Sequence, residues 1–174
     1  MARILGIDPG SRVTGYGVIE AGPVGAVHVA SGSIRAEGAS LPERIGAIFR
    51  ALSAVVAEHA PEEVAVEAVF VHRNPDSALK LGQARGAALC AALGAGLPVA
   101  EYNPREVKRA LVGNGAAAKV QVQHMVRVLL GLREGLEPDA ADALAVAICH
   151  HHIRATLARA PLARRRRGGR RGWR

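Results

Sequence analysis

Four carboxylates carry the chemistry that this 174-residue chain can offer. Asp8 closes the apolar run Arg3-Ile4-Leu5-Gly6-Ile7, and Pro9-Gly10 turns the chain immediately afterwards. Glu67 sits within Val64-Ala65-Val66-Glu67-Ala68-Val69-Phe70, a second run of strand-forming residues. Asp139 and Asp142 follow Pro138 three residues apart, a spacing that puts both on one face of a helix. An acid held in an apolar element costs free energy unless something cationic satisfies it. If the start of that helix crosses the ends of the first and fourth strands, four carboxylates converge, and cations must neutralise them. Oxygen ligands without Cys or His select a hard ion, Mg²⁺ or Mn²⁺, over zinc. Two such ions about 3.5–4 Å apart can hold the attacking and leaving oxygens of an in-line phosphoryl displacement. That is nuclease chemistry.

Each acid also has a plainer reading. Asp8 could form a turn before Pro-Gly, and Glu67 could face outward from an edge strand. Asp139 could merely favour the positive end of the helix dipole. Asp142 is hardest to explain that way, because Ala140-Ala141 and Ala143-Leu144-Ala145 flank it with core-type residues.

The elements that must bring these residues together follow in order. Thr14–Ile19 and Val27–Ile34 are predicted to join the first strand in an antiparallel meander, with Gly22-Pro23 in their connection. Ser40-Leu41-Pro42-Glu43 has the spacing of a capping box, and Leu41, Ile45, Ile48, Leu52 and Val55 then follow a helical period. After the Glu67 strand, Asn74-Pro75 opens a second helix. Along it Ala78, Gly82, Gly86, Cys90 and Gly94 form a stripe of small side chains, which predicts close approach of the sheet or of a second copy of the helix. Leu97–Tyr102 reads as a final edge strand. The loop Gly113-Asn114-Gly115 leads to Lys119 and a helix with Val122, Met125, Val126 and Leu129 on its apolar side. Pro138 opens the last helix, expected to end near Ile153. This order predicts an α/β fold with a five-stranded mixed sheet, three antiparallel strands then two parallel, and helices on both faces.

Composition divides the chain in two. Residues 1–153 hold 14 Lys and Arg against 15 Asp and Glu, whereas residues 154–174 hold nine Arg and no acid. The net charge of +8 therefore belongs to the tail, which reads as a disordered, low-complexity segment that suits a polyanion such as nucleic acid. The core, 1–153, reads as a single domain. No apolar run reaches the ~18 residues of a membrane span, and the N-terminus lacks the pattern of a signal peptide. Cys90 and Cys149 lie within apolar helical patterns and read as reduced core residues of a cytoplasmic protein.

Five stretches together resemble the RuvC family of bacterial crossover-junction endodeoxyribonucleases, within the ribonuclease H-like superfamily. They are Gly6-Ile7-Asp8-Pro9-Gly10, Val66–Phe70, Asn74–Gly86, Gln121–Val126 and Asp139–Ala145, and they span residues 3 to about 152 in order. The resemblance implies a ribonuclease H-like fold and a homodimer that binds four-way (Holliday) junction DNA. It implies symmetric, Mg²⁺-dependent nicking of two strands of like polarity, leaving 5′-phosphate and 3′-hydroxyl ends. Two ions per active site would be held by Asp8, Glu67, Asp139 and Asp142, where some relatives carry His at the third position. Phe70 falls on an aromatic that stacks on bases near the crossover. Lys108 and Lys119 fall on basic residues beside the active site. The family further suggests engagement with the RuvA–RuvB branch-migration complex, and nothing transfers to the Arg-rich tail.

The residues themselves leave several points open. Phe70, one of five aromatic residues, could pack in the core or stack on an unpaired base. Lys119 could be a solvated helix-start residue, a phosphate contact or a group that orients water. His150-His151-His152 at the expected helix end suits free carbonyls better than a metal. Two rival functions compete: an actin-like or sugar-kinase ATPase, which needs a second domain and phosphate loop, and a non-catalytic DNA binder held by its tail, which needs no clustered acids.

Overall fold

The structure, a computed structural model, describes residues 1–68, 74–132 and 135–159. Five strands, β1 (Ala2–Asp8), β2 (Val13–Ala21), β3 (Ala26–Arg35), β4 (Glu63–Glu67) and β5 (Val99–Tyr102), form one sheet in the order β3-β2-β1-β4-β5. β1 pairs antiparallel with β2 and β2 with β3, while β1, β4 and β5 run parallel. The helices are α1 (Leu41–His59), α2 (Pro75–Gly94), α3 (Pro104–Val112), α4 (Lys119–Leu130) and α5 (Pro138–Arg159). This is the expected five-stranded mixed sheet with helices on both faces.

Strand alternation assigns the two cores. Leu5, Ile7, Val18, Val64 and Val66 pack under α1 and α2, with Ile48, Leu52, Ala84 and Ala88. Ile4, Ile19 and Ala65 pack on the opposite face under α5, whose Leu144, Ile148 and Cys149 join Val107 and Leu111 of α3 and Val122 and Val126 of α4. Because successive side chains change face, Asp8 shares the α5 face with Ile4, and Glu67 shares it with Ala65.

The reciprocal cap between Ser40 and Glu43 starts α1, and Asn74 Oδ1 accepts from the Asp76 and Ser77 amides at the start of α2. Sequence periodicity overlooks α3, which has only nine residues and two buried side chains, Val107 and Leu111. Its signal was nevertheless present. Asn103-Pro104-Arg105-Glu106 forms a capping box, with the Glu106 amide 3.0 Å from Asn103 Oδ1 and the Asn103 amide 2.8 Å from Glu106 Oε2.

Several other expectations need correction. β4 ends at Glu67, with Val69 and Phe70 of the expected run outside the described residues, and α5 continues past Ile153 to Arg159. The small stripe of α2 meets no sheet: a Cβ built on Gly82, Gly86 or Gly94 would touch nothing within 4 Å. The face that α2 turns to the sheet carries Ala84, Ala87, Ala88, Ala91 and Ala92 instead. Cys90 belongs to the outward stripe and is exposed, so of the two free cysteines only Cys149 is a core residue. Among the described residues no helix is long and apolar enough to cross a membrane.

Candidate active site

The site is built where the C-terminal ends of β1 and β4 meet the N-terminus of α5. Ile7 is paired with Val66, so the next residues along, Asp8 and Glu67, end neighbouring parallel strands side by side. α5 then lies almost on the backbone of β1 and β2. A Cβ on Gly6 would stand 2.1 Å from the Ala143 carbonyl oxygen, and one on Gly15 would stand 2.0 Å from that of Asp139. Gly15 is the cross-strand partner of Asp8, so the absence of its side chain lets the first turn of α5 settle directly over the β1 terminus. The helix answers with small residues of its own, the buried Ala140, Ala141, Ala143 and Ala147.

Asp8, Asp139 and Asp142 consequently present carboxylate oxygens that all lie within 4.8 Å of one another. Glu67 joins them through a side-chain hydrogen bond with Asp8. Lys119, at the start of α4, places Nζ 2.5 Å from Asp142 Oδ2 and remains 61% exposed. One helical turn on, Gln123 Nε2 donates to Asp142 Oδ1 and to the Pro138 carbonyl, each at 3.4 Å. Lys108 of α3 lines the same cleft, whose apolar wall is Val107, Val122 and Ala145. Phe70 lies outside the described residues.

The electrostatics follow from this crowding. Burial, then the charges of Glu67 and Asp142, pushes the Asp8 carboxyl up to about 8, only partly offset by Lys119. Glu67 is also raised, chiefly by burial, while its bond with Asp8, Lys119 and Lys108 works the other way. Burial and the neighbouring acids thus disfavour full ionisation of Asp8 and Glu67, a cost that a bound cation would relieve. Lys119 moves up in turn, mainly through its hydrogen bond with Asp142. An all-carboxylate donor set that cannot carry its full charge alone fits a hard divalent cation.

A sequence model of the family described as crossover junction endodeoxyribonuclease RuvC matches residues 4–150. The chain belongs to the RuvC family. A RuvC crossover junction endodeoxyribonuclease of Alkalilimnicola ehrlichii is 60% identical over 152 residues, covering 87% of this chain and 92% of that protein. One of Halorhodospira halophila is 56% identical over 172 residues, 98% of this chain and all of that protein. The solved structure of Thermus thermophilus RuvC in complex with a Holliday junction substrate matches with a TM-score of 0.84 at 40% identity, covering 90% of this chain and 96% of that one.

The six described residues that the RuvC resemblance singles out, Asp8, Glu67, Lys108, Lys119, Asp139 and Asp142, stand in or beside one cleft. Sequence reasoning missed Gln123 and the glycines under α5. The glycines had a signal, since Gly6, Gly15 and Gly17 interrupt strands where a bare backbone implies close approach. Gln123 had one too, lying four residues after Lys119 and so on the same face of α4.

Proposed function

We propose that this protein is a structure-specific endodeoxyribonuclease that resolves four-way DNA junctions by symmetric, Mg²⁺-dependent nicking of two strands of like polarity, leaving 5′-phosphate and 3′-hydroxyl ends. The observation that carries the reading is the convergence of three aspartates, with Glu67 bonded to one of them, in a lysine-rimmed cleft of a RuvC-family fold. Asp8, Glu67, Asp139 and Asp142 would hold two Mg²⁺ ions, with Mn²⁺ as a substitute. Bound there, the ions would supply an activated water and neutralise the departing oxygen.

The chain's own groups do the rest. Asp8 and Glu67, both raised by burial, would ionise fully once cations offset their charge. Gln123 keeps Asp142 turned toward Asp8, and its second bond, to the Pro138 carbonyl, holds the start of α5 in place. Lys119 and Lys108 place positive charge where a phosphodiester meets the cleft, Lys119 with its ammonium paired to Asp142 and most of its side chain exposed. Phe70, three residues after Glu67 in the chain, would stack on a base exposed at the crossover.

Symmetric nicking requires two such sites related by a two-fold axis, hence a homodimer. The outward stripe of α2, with Gly82, Gly86 and Cys90 and the exposed Leu79 and Leu93 beside it, supports this helix as the contact. The family resemblance extends the reading to the RuvA–RuvB branch-migration complex as a partner. The test is incubation of a labelled synthetic junction with and without Mg²⁺, mapping the cuts on all four strands. Paired cuts at symmetry-related positions support the reading; cuts on one strand only, or none, overturn it.

A further inference from the structure

The stretch His150-His151-His152 takes no part in the chemistry above, and α5 does not end there. His150 is 7% exposed. Its Nδ1 lies 2.7 Å from the Tyr102 hydroxyl and its Nε2 lies 2.6 Å from Glu63 Oε2. The other Glu63 oxygen pairs with Arg154 Nη1 at 2.5 Å. Burial, with Cys149, Glu106 and Glu63 nearby, pushes the Tyr102 phenol up to about 12. The phenol therefore keeps its proton, and the His150 ring bridges it to Glu63, one ring nitrogen bonded to each. His152 Nδ1 donates to the Ala110 carbonyl at 3.0 Å, one of the last-turn carbonyls that α3 leaves without a helical partner.

α5 thus grips the β5–α3 segment on both sides of Lys108, at Tyr102 before it and at Ala110 after it. The segment needs such a grip, because α3 has nine residues and buries only Val107 and Leu111. The same helix carries Asp139 and Asp142 at its other end. We propose that Tyr102, His150 and His152 are positioning residues that set the place of Lys108 relative to the carboxylates. This rests on the nuclease reading of the cleft. Displacements of about 1 Å in such a constellation can cost up to a hundredfold in rate.

The test uses the full-length protein and Tyr102→Phe, which keeps the ring and removes the hydroxyl. Junction cleavage is expected to slow about tenfold in kcat, while the Kd for the junction measured without Mg²⁺ changes by less than about twofold. Amide exchange is expected to quicken over 104–112 but not over 138–149. In a double-mutant cycle, Lys108→Ala and Lys108→Ala/Tyr102→Phe should cleave at the same rate, because without the lysine the grip has nothing to aim. His152→Gln, whose amide can still donate to the Ala110 carbonyl, should retain the rate that His152→Ala loses. Losses that multiply in the cycle, or a Tyr102→Phe protein that cuts at the wild-type rate, overturn the proposal. A wild-type chain that cuts no junction overturns the nuclease reading instead, and exchange over 104–112 in Tyr102→Phe then decides alone whether the grip exists.

Discussion

Asp8 is the residue on which the site's charge balance turns. Its carboxyl titrates near 8 in the fold and near 3.8 in an ordinary setting, so between those values the folded chain binds more protons than the unfolded one. Stability in the absence of metal therefore falls as pH rises through this window. Asp8→Asn removes that dependence, and the variant should melt several degrees above wild type at pH 8 without metal, with the gap closing near pH 4. Mg²⁺ should raise the wild-type Tm at pH 8 far more than that of Asp8→Asn. Thermal melts at both pH values, with and without Mg²⁺, check the sign. The same substitution should reduce cleavage by about a thousandfold or more while leaving junction affinity in a gel shift near wild type, because in the proposed reaction the carboxylate would serve charge that develops only in the transition state. Residual cleavage near the wild-type rate would remove Asp8 from the chemistry.

The decisive element is α5, and its placement depends on what β1 and β2 lack. Gly15→Ala would drive a methyl group into the Asp139 carbonyl, and Gly6→Ala into that of Ala143. Neither obstacle is a flexible side chain, so the helix itself must lift. Each variant should lose about 3 kcal/mol or more of stability by denaturant titration. Gly15→Ala should also lose most cleavage even where it remains folded, since it displaces the turn that carries Asp139. Gly86→Ala on α2 serves as the control. Among the described residues, nothing beyond its chain neighbours and its own helix backbone lies within 4 Å of that Cβ, and the change should leave stability unchanged or slightly higher.

At the scale of the whole molecule the outward stripe of α2 and the basic tail make separate demands. Gly86→Leu should fold as the wild type does and yet sediment as a monomer, with cleavage becoming unpaired or lost. A dimer of unchanged affinity would move the contact elsewhere. Residues 160–174 hold seven arginines against no acid. Deleting them should leave Mg²⁺-dependent nicking in place while the slope of log Kd against log salt shrinks by as much as about 6. A deletion that abolished nicking along with binding would favour the tail-driven binder. α5 spans 22 residues, about 33 Å, so Arg159 stands a full helix length from the acids that begin it.

Much of this was legible in the linear chain, and the limits have physical causes. Short apolar runs and the turn residues that close them placed the strands, because central strands buried on both faces read as continuous hydrophobic stretches. The acids announced themselves, because a carboxylate inside an apolar run has few explanations. The short α3 was hidden because two buried side chains make no visible period, even though its cap was written at Asn103 and Glu106. The outward direction of Cys90 and of the α2 stripe could not be read, since Ala and Gly suit an interior and a contact surface equally well. The use of His150 depended on Tyr102 and Glu63, 48 and 87 residues away, which no local pattern connects to it.

Residue type and spacing alone thus pointed to the fold class and to the acids that could bind a metal, and the resemblance of five stretches to RuvC supplied the family. Only the tertiary structure decided that these acids meet. Their convergence depends on bare backbone at Gly6 and Gly15 letting one helix approach the sheet closely. It decided too that α3 is anchored through α5, because hydrogen bonds between distant segments exist only once the helices are packed.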